Sequence, residues 1–103
     1  MRPVSEEVAV FLAGRLDDTQ KLAQAYLDHA VARNRPGPER WAYGLLLREV
    51  DAGRAILAEY DRALVKARAN VPLINALKRL MQARAAVYSD HPDYRQEWAR
   101  ETA

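Results

Sequence analysis

The residue spacing between Tyr43 and Ala67 constrains the fold of this 103-residue chain more than any other feature. Eight apolar or small residues recur there in alternating steps of three and four: Tyr43, Leu46, Val50, Gly53, Leu57, Tyr60, Leu64 and Ala67. A helix with this heptad repeat presents one continuous apolar seam, as in a coiled coil. The seam predicts a helix from about Glu39 to Ala69, roughly 45 Å long at about 1.5 Å per residue. We therefore expect an elongated molecule.

The amino-acid composition points to an all-α protein. Nineteen alanines and twelve leucines outnumber two isoleucines and one phenylalanine, and this balance favours helices over strands. No apolar run is long enough to span a bilayer, and the N-terminal segment does not have the pattern of a signal peptide. The absence of cysteine excludes disulfides and thiol chemistry, and it fits a reducing compartment. We expect a single helical domain, residues 1–103, in the cytoplasm.

Two further long helices are predicted on either side of the seam helix. The first begins near Ser5, and its buried face is formed by residues at helical spacing: Leu12, Leu16, Thr19, Ala23, Tyr26 and Ala30. Two prolines and a glycine in the segment 34–38 require a turn after it. The third helix follows Pro72 and runs to about Tyr88.

The connections decide how these helices are arranged. Asn70 is suited to a left-handed helix cap, and Pro72 disfavours helical geometry at the residue before it. We expect a tight reversal there rather than a kinked continuation. Asp90 and Pro92 predict the start of a short fourth helix, about residues 92–100. The predicted fold is an elongated antiparallel three-helix bundle with a short C-terminal fourth helix.

The chain contains no recognisable catalytic constellation. The Glu-x-x-His and Glu-x-x-Glu pairs of helical carboxylate metal enzymes are absent, and His29 and His91 are the only imidazoles. We therefore expect no enzyme activity, no cofactor and no metal. His91 fits a structural role beside a helix start, although a small-molecule or metal site with Asp93 and Tyr94 is a further alternative. The aromatic residues Trp41, Tyr88, Tyr94 and Trp98 could line a small pocket or pin the last helix to the bundle.

The seam of the second helix suggests a function in protein association. Three helices in one chain could leave part of a 45 Å seam uncovered, and exposed apolar stripes commonly contact another surface. The hypothesis is that the seam mediates homo-oligomer formation or binds a helical protein partner, with Gly53 permitting close backbone approach. The predicted seam consists of Leu46, Val50, Gly53, Leu57, Tyr60 and Leu64.

Basic residues suggest nucleic-acid binding as the alternative function. The formal net charge is only +2, but no acid occurs between Arg62 and Ser89. The predicted phosphate contacts are Arg62, Lys66, Arg68, Lys78, Arg79 and Arg84. Docking of these residues against the acidic C-terminal segment would explain the same pattern.

Four segments of the chain resemble a known family. They are FLAGRLDDTQKLA at 11–23, GPERW at 37–41, LREVDAGRAIL at 47–57 and YSDHPDYRQEW at 88–98. Together and in this order they resemble a family of small actinobacterial and phage-encoded proteins of unknown function. Leu47, Arg48, Glu49 and Val50 fall on its third motif, and its C-terminal motif includes Asp90, His91, Pro92, Asp93, Tyr94, Glu97 and Trp98. The resemblance implies no activity that could be transferred to this chain.

Overall fold

The computed structural model describes the backbone of residues 4–34 and 37–102 and the side chains of 7–34 and 37–99. Within these ranges the elements are α1 (Val4–Ala32), α2 (Gly37–Lys66), α3 (Val71–Ala85), a 3-10 helix (Ala86–Tyr88) and α4 (Gln96–Thr102). No strand occurs among the described residues. The three long helices pack antiparallel and the short one follows them, as predicted. The molecule measures 51 × 29 × 23 Å, which confirms the elongated shape.

The reversal between α2 and α3 is confirmed, but Asn70 has a different role from the predicted one. Its backbone φ is −87°, outside the left-handed region, and its side chain accepts a hydrogen bond from the Leu73 N–H at 3.2 Å. Asn70 therefore caps the start of α3 instead of the end of α2, which stops at Lys66. The left-handed residue is Asn34, with φ 52°, immediately after α1.

The α1–α2 hairpin forms the centre of the core. Leu12 and Leu16 of α1 are buried with Val50 of α2, and Gly53 lies directly against Leu16. The other buried apolar side chains of this core are Val8, Phe11, Tyr60, Ala63, Ile74, Leu77, Met81, Ala85, Tyr94 and Trp98.

Helix α1 begins at Val4, so Ser5 lies inside its first turn rather than at the position before it that the sequence predicts.

Helix α3 covers only one half of this hairpin. It has 15 residues, about 22 Å, whereas α1 and α2 have 29 and 30 residues, about 45 Å each. Two contacts mark the end of the covered half. Arg84 forms an ion pair with Glu49 of α2, and the Tyr88 hydroxyl hydrogen-bonds the Thr19 hydroxyl of α1 at 2.8 Å. Beyond them, no third helix among the described residues covers the hairpin.

The C-terminal segment differs from the prediction. The fourth helix begins at Gln96, not near 92, and residues 89–95 form consecutive turns. The His91 N–H donates to the Tyr88 carbonyl at 2.9 Å, and the Tyr94 N–H donates to the His91 carbonyl at 3.0 Å. Asp90 and Pro92 therefore lie in a turn rather than at a helix start. These turns bring Tyr94 and Trp98 against Phe11 of α1.

Candidate functional site

The predicted association seam of α2 is mostly covered within the chain itself. Val50, Gly53 and Tyr60 are buried. Leu57 and Leu64 are half-buried and pack against the core. The close approach that Gly53 permits is to Leu16 of the same chain, not to a partner. The predicted seam is therefore mainly an internal packing surface, because α1 and α3 cover it. Leu46, 44 % exposed, is the one residue of the predicted seam that is classed as exposed.

A second surface carries the exposed apolar side chains instead. Leu45 and Leu46 precede Glu49 by four and three residues, so they lie on the side of α2 that faces α3 further along. Trp41 lies at the outer edge of this side, about 140° from Leu46 around the helix. On α1, Leu22 and Tyr26 follow Thr19 by three and seven residues and continue the side that contacts Tyr88. We call this surface the open face. It comprises Leu22, Tyr26, Trp41, Leu45 and Leu46, all exposed.

An apolar pocket lies where α3 ends and the open face begins. Its volume is about 280 Å³, enough for one large side chain. Its lining residues are Leu12, Leu16, Thr19, Leu46, Glu49, Val50, Arg84, Val87 and Tyr88. The charged groups of Glu49 and Arg84 pair with each other, and the hydroxyls of Thr19 and Tyr88 hydrogen-bond each other. The pocket is therefore suited to an apolar group rather than to an ion.

Contacts between α1 and α2 hold the two helices of the open face together. The rings of Tyr26 and Tyr43 stack at a centroid distance of 5.5 Å and join α1 to α2 near the middle of the face. Ala23 and Ala30 are buried between the two helices. Such small residues let the helices approach closely, so the larger side chains are left on the outside.

The basic residues from Arg62 to Arg84 do not form one surface. Arg62 pairs with Glu59, and Arg84 pairs with Glu49. Lys78 and Arg84 are six residues apart on α3, which places them about 120° apart around the helix. The Arg68 Nε donates to the Leu64 carbonyl at 3.2 Å. Two of the six predicted phosphate contacts are thus neutralised locally, and Lys78 lies on a different side of α3 from Arg84.

The C-terminal motif forms an aromatic cluster centred on Phe11. The ring centroid of Phe11 lies 5.6 Å from that of His91, 5.9 Å from Tyr94 and 5.2 Å from Trp98. Tyr94 and Trp98 are buried, and the Arg15 guanidinium lies 5.3 Å from the Phe11 centroid. Trp41 lies at the opposite end of the hairpin, so the four predicted aromatic residues do not share one pocket. The cluster attaches the C-terminal segment to α1.

His91 makes structural hydrogen bonds. Its Nδ1 accepts from the Asp93 backbone N–H at 3.0 Å and lies 3.3 Å from an Arg15 guanidinium nitrogen. Because both partners are donors, Nδ1 is the unprotonated nitrogen of the ring. Among the described residues, no group of three His, Asp or Glu side chains could hold a metal ion.

A wider cleft of about 510 Å³ lies beside this cluster, between α1 and the C-terminal segment. Its charges are already paired within the chain. Arg95 lies 3.2 Å from a Glu7 carboxylate oxygen, and Arg15 lies 4.0 Å from one of Asp93. Arg15 also pairs with Asp18 at 3.0 Å. Each charged side chain among the described lining residues of the cleft therefore already has an ion-pair partner.

Sequence reasoning missed the open face and the role of Arg15. The spacing of Thr19 and Tyr26 predicts a continuous buried face on α1, but Tyr26 is exposed because α3 is too short to cover it. Arg15 gave no local signal, since its partners His91 and Asp93 lie 76 and 78 residues further along the chain.

Comparisons with other proteins identify a family and nothing more specific. The sequence matches a family of unknown function, DUF6221, over residues 5–100. No curated protein and no solved structure matches the chain. No helix in the described part of the chain is both long and apolar enough to cross a membrane.

Proposed function

We propose that this protein, which belongs to the DUF6221 family, is a protein–protein interaction module that docks a helical surface on its open face. The observation that carries the proposal is the position of exposed Leu45 and Leu46 beside an apolar pocket, with exposed Leu22 and Tyr26 on the neighbouring helix. Trp41 is 64 % exposed, and aromatic side chains on a surface are typical anchors of protein interfaces. Contiguous apolar patches of this kind mark interaction sites.

The shape of the open face favours a helix as the bound element. Two antiparallel helices leave a groove between them, and α3 already occupies that groove over the other half of the hairpin. A partner helix would continue the layer where α3 ends. Its apolar face would contact Leu22, Tyr26 and Leu46, and one large side chain would fill the pocket.

The nucleic-acid alternative has less support. Phosphate binding depends on several unpaired cations on one surface, and Arg62 and Arg84 are paired with acids. Reversing Arg79 to Glu tests this alternative separately, because Arg79 is exposed and lies away from the open face. Loss of salt-sensitive nucleic-acid binding in that variant would support it over protein docking.

Site-specific photo-crosslinking tests the proposed function. A photoreactive amino acid replaces Leu46 in one variant and Val65 in a matched control, and both are irradiated in native cells. Val65 is 81 % exposed and belongs to α2, but it lies near the opposite end of that helix. We expect a crosslinked polypeptide of discrete mass at position 46 and none at position 65. The absence of any crosslink at 46, or equal crosslinking at both positions, would contradict the proposal.

A further inference from the structure

We infer that the partner on the open face is a second copy of this chain, bound antiparallel. This inference rests on the proposed function and assigns its partner. The open faces of the two hairpins would lie against each other. The hairpin of each copy would fill the space beside the end of α3 in the other copy. The argument comes from a stripe of residues on α1 and from the position of the symmetry axis that this stripe fixes.

The stripe on α1 is complementary to itself. Asp18, Leu22, Tyr26, His29 and Arg33 follow one another at steps of four, four, three and four, which places them along one side of the helix. The acid lies at one end, the basic residues lie at the other, and the middle is apolar. When two such stripes run antiparallel, Asp18 of each copy faces Arg33 of the other. Asp18 also pairs with Arg15, and its side chain, 63 % exposed, retains acceptor capacity.

The antiparallel alignment of the two α1 helices also fixes the alignment of the two α2 helices. The point midway between Asp18 and Arg33 lies just before Tyr26, which stacks on Tyr43. The symmetry axis therefore crosses α2 just after Tyr43. Trp41 and Leu46 lie at equal distances along α2 on either side of that point, but they are about 140° apart around the helix and do not face each other across the axis.

The size of the contact predicts a weak dimer. The overlap from Asp18 to Arg33 is about 22 Å long, and the hairpin is about 20 Å wide. The two faces together would bury on the order of 1,000 Å², the lower end for specific interfaces. We expect a dissociation constant of roughly micromolar order.

The arrangement also predicts the shape of the dimer. Two molecules of 51 Å that overlap by about 22 Å give a particle roughly 80 Å long. A side-by-side dimer with full overlap would remain close to the length of one molecule. Small-angle X-ray scattering distinguishes these two shapes.

Sedimentation velocity of the purified full chain, from about 1 to 200 µM, tests the inference through charge reversal. Asp18→Arg and Arg33→Asp should each weaken the dimer about tenfold, because each creates like-charge pairs across the axis. The double variant should restore association, although it does not restore the internal Arg15 pair. Leu22→Ala, in the apolar middle of the α1 stripe, should weaken association about tenfold, and Val65→Ala should leave it unchanged. Far-UV circular dichroism verifies that each variant is folded.

The results distinguish a failure of the second-copy assignment from a failure of the proposed function on which it rests. A monomer at 200 µM, a dimer insensitive to Leu22→Ala, or a double charge variant that stays dissociated would overturn the second-copy assignment. If the crosslink at Leu46 in cells then joins a different protein, the interaction function stands with another partner. If position 46 forms no crosslink to any protein, the proposed function fails as well.

Discussion

Gly53 of α2 lies so close to Leu16 of α1 that a Cβ added to the glycine would stand 2.9 Å from both Leu16 methyl carbons. This contact is the closest described approach of a glycine in the chain to a neighbouring side chain. Leu16 is buried beside Leu12 and Val50, so it cannot move away without disturbing the core. The absence of a side chain at Gly53 therefore permits the short distance between α1 and α2 at this point.

Replacing Gly53 with Ala should destabilise the protein in spite of the better helix propensity of alanine. The propensity gain is about 1 kcal/mol, whereas overpacking a core typically costs about 1–3 kcal/mol. We expect a net loss of about 1 kcal/mol in the free energy of unfolding, measured by urea denaturation. In a Leu16→Ala background, the same substitution should become stabilising because the clashing methyl groups are gone.

Gly14→Ala is the matched control for this experiment. A Cβ on Gly14 meets no atom within 4 Å, although this residue is also inside a long helix. It should raise the free energy of unfolding by about 0.5–1 kcal/mol. Equal effects of the two glycine substitutions would show that the contact between Gly53 and Leu16 does not limit the packing.

The two tryptophans should respond to replacement in opposite ways. Trp98 is 2 % exposed and contacts the rings of Phe11 and Tyr94, so Trp98→Ala should cost about 3–5 kcal/mol. Trp41→Ala should change stability by less than about 0.5 kcal/mol when the protein concentration is well below the expected micromolar dissociation constant. Urea denaturation followed by circular dichroism measures both. Acrylamide should quench Trp41 in a Trp98→Phe variant far more than Trp98 in a Trp41→Phe variant.

His91→Ala should lower the free energy of unfolding by about 1–2 kcal/mol. The substitution leaves the Asp93 N–H without its acceptor and removes the edge contact with Phe11. His91→Asn should recover about half of the loss, because an asparagine oxygen can accept from the backbone N–H two residues further on. Thermal unfolding of both variants measures the difference. Identical stability of the Ala variant and the parent would contradict this structural role.

Asn70→Ala should destabilise α3 by about 1 kcal/mol. The substitution removes the side-chain oxygen that accepts from the Leu73 N–H at the start of the helix. Asn70→Asp keeps an acceptor in the same position and should preserve stability, with a small additional gain from the helix dipole. Urea denaturation of the three proteins measures the cap. A larger loss in Asn70→Asp than in Asn70→Ala would be inconsistent with capping.

The sequence predicted most of the helical architecture because its signals are local. The seam from Tyr43 to Ala67 gave α2 to within three residues at each end, and Pro72 marked the reversal. Apolar periodicity is encoded by neighbours three and four residues apart, so it is visible without tertiary information. The start of α4 was wrong by about four residues because the turn at His91 depends on contacts with α1.

The sequence by itself determined that the chain forms three long amphipathic helices with a turn between each pair, and which residues can face a core. The tertiary structure decided which parts of those faces are covered. Val50 and Tyr60 are buried because α1 and α3 pack on them, whereas Leu46 and Tyr26 belong to equally regular patterns and stay exposed. The reason is that α3 ends near Arg84, and burial depends on the reach of a neighbouring helix rather than on spacing along the chain.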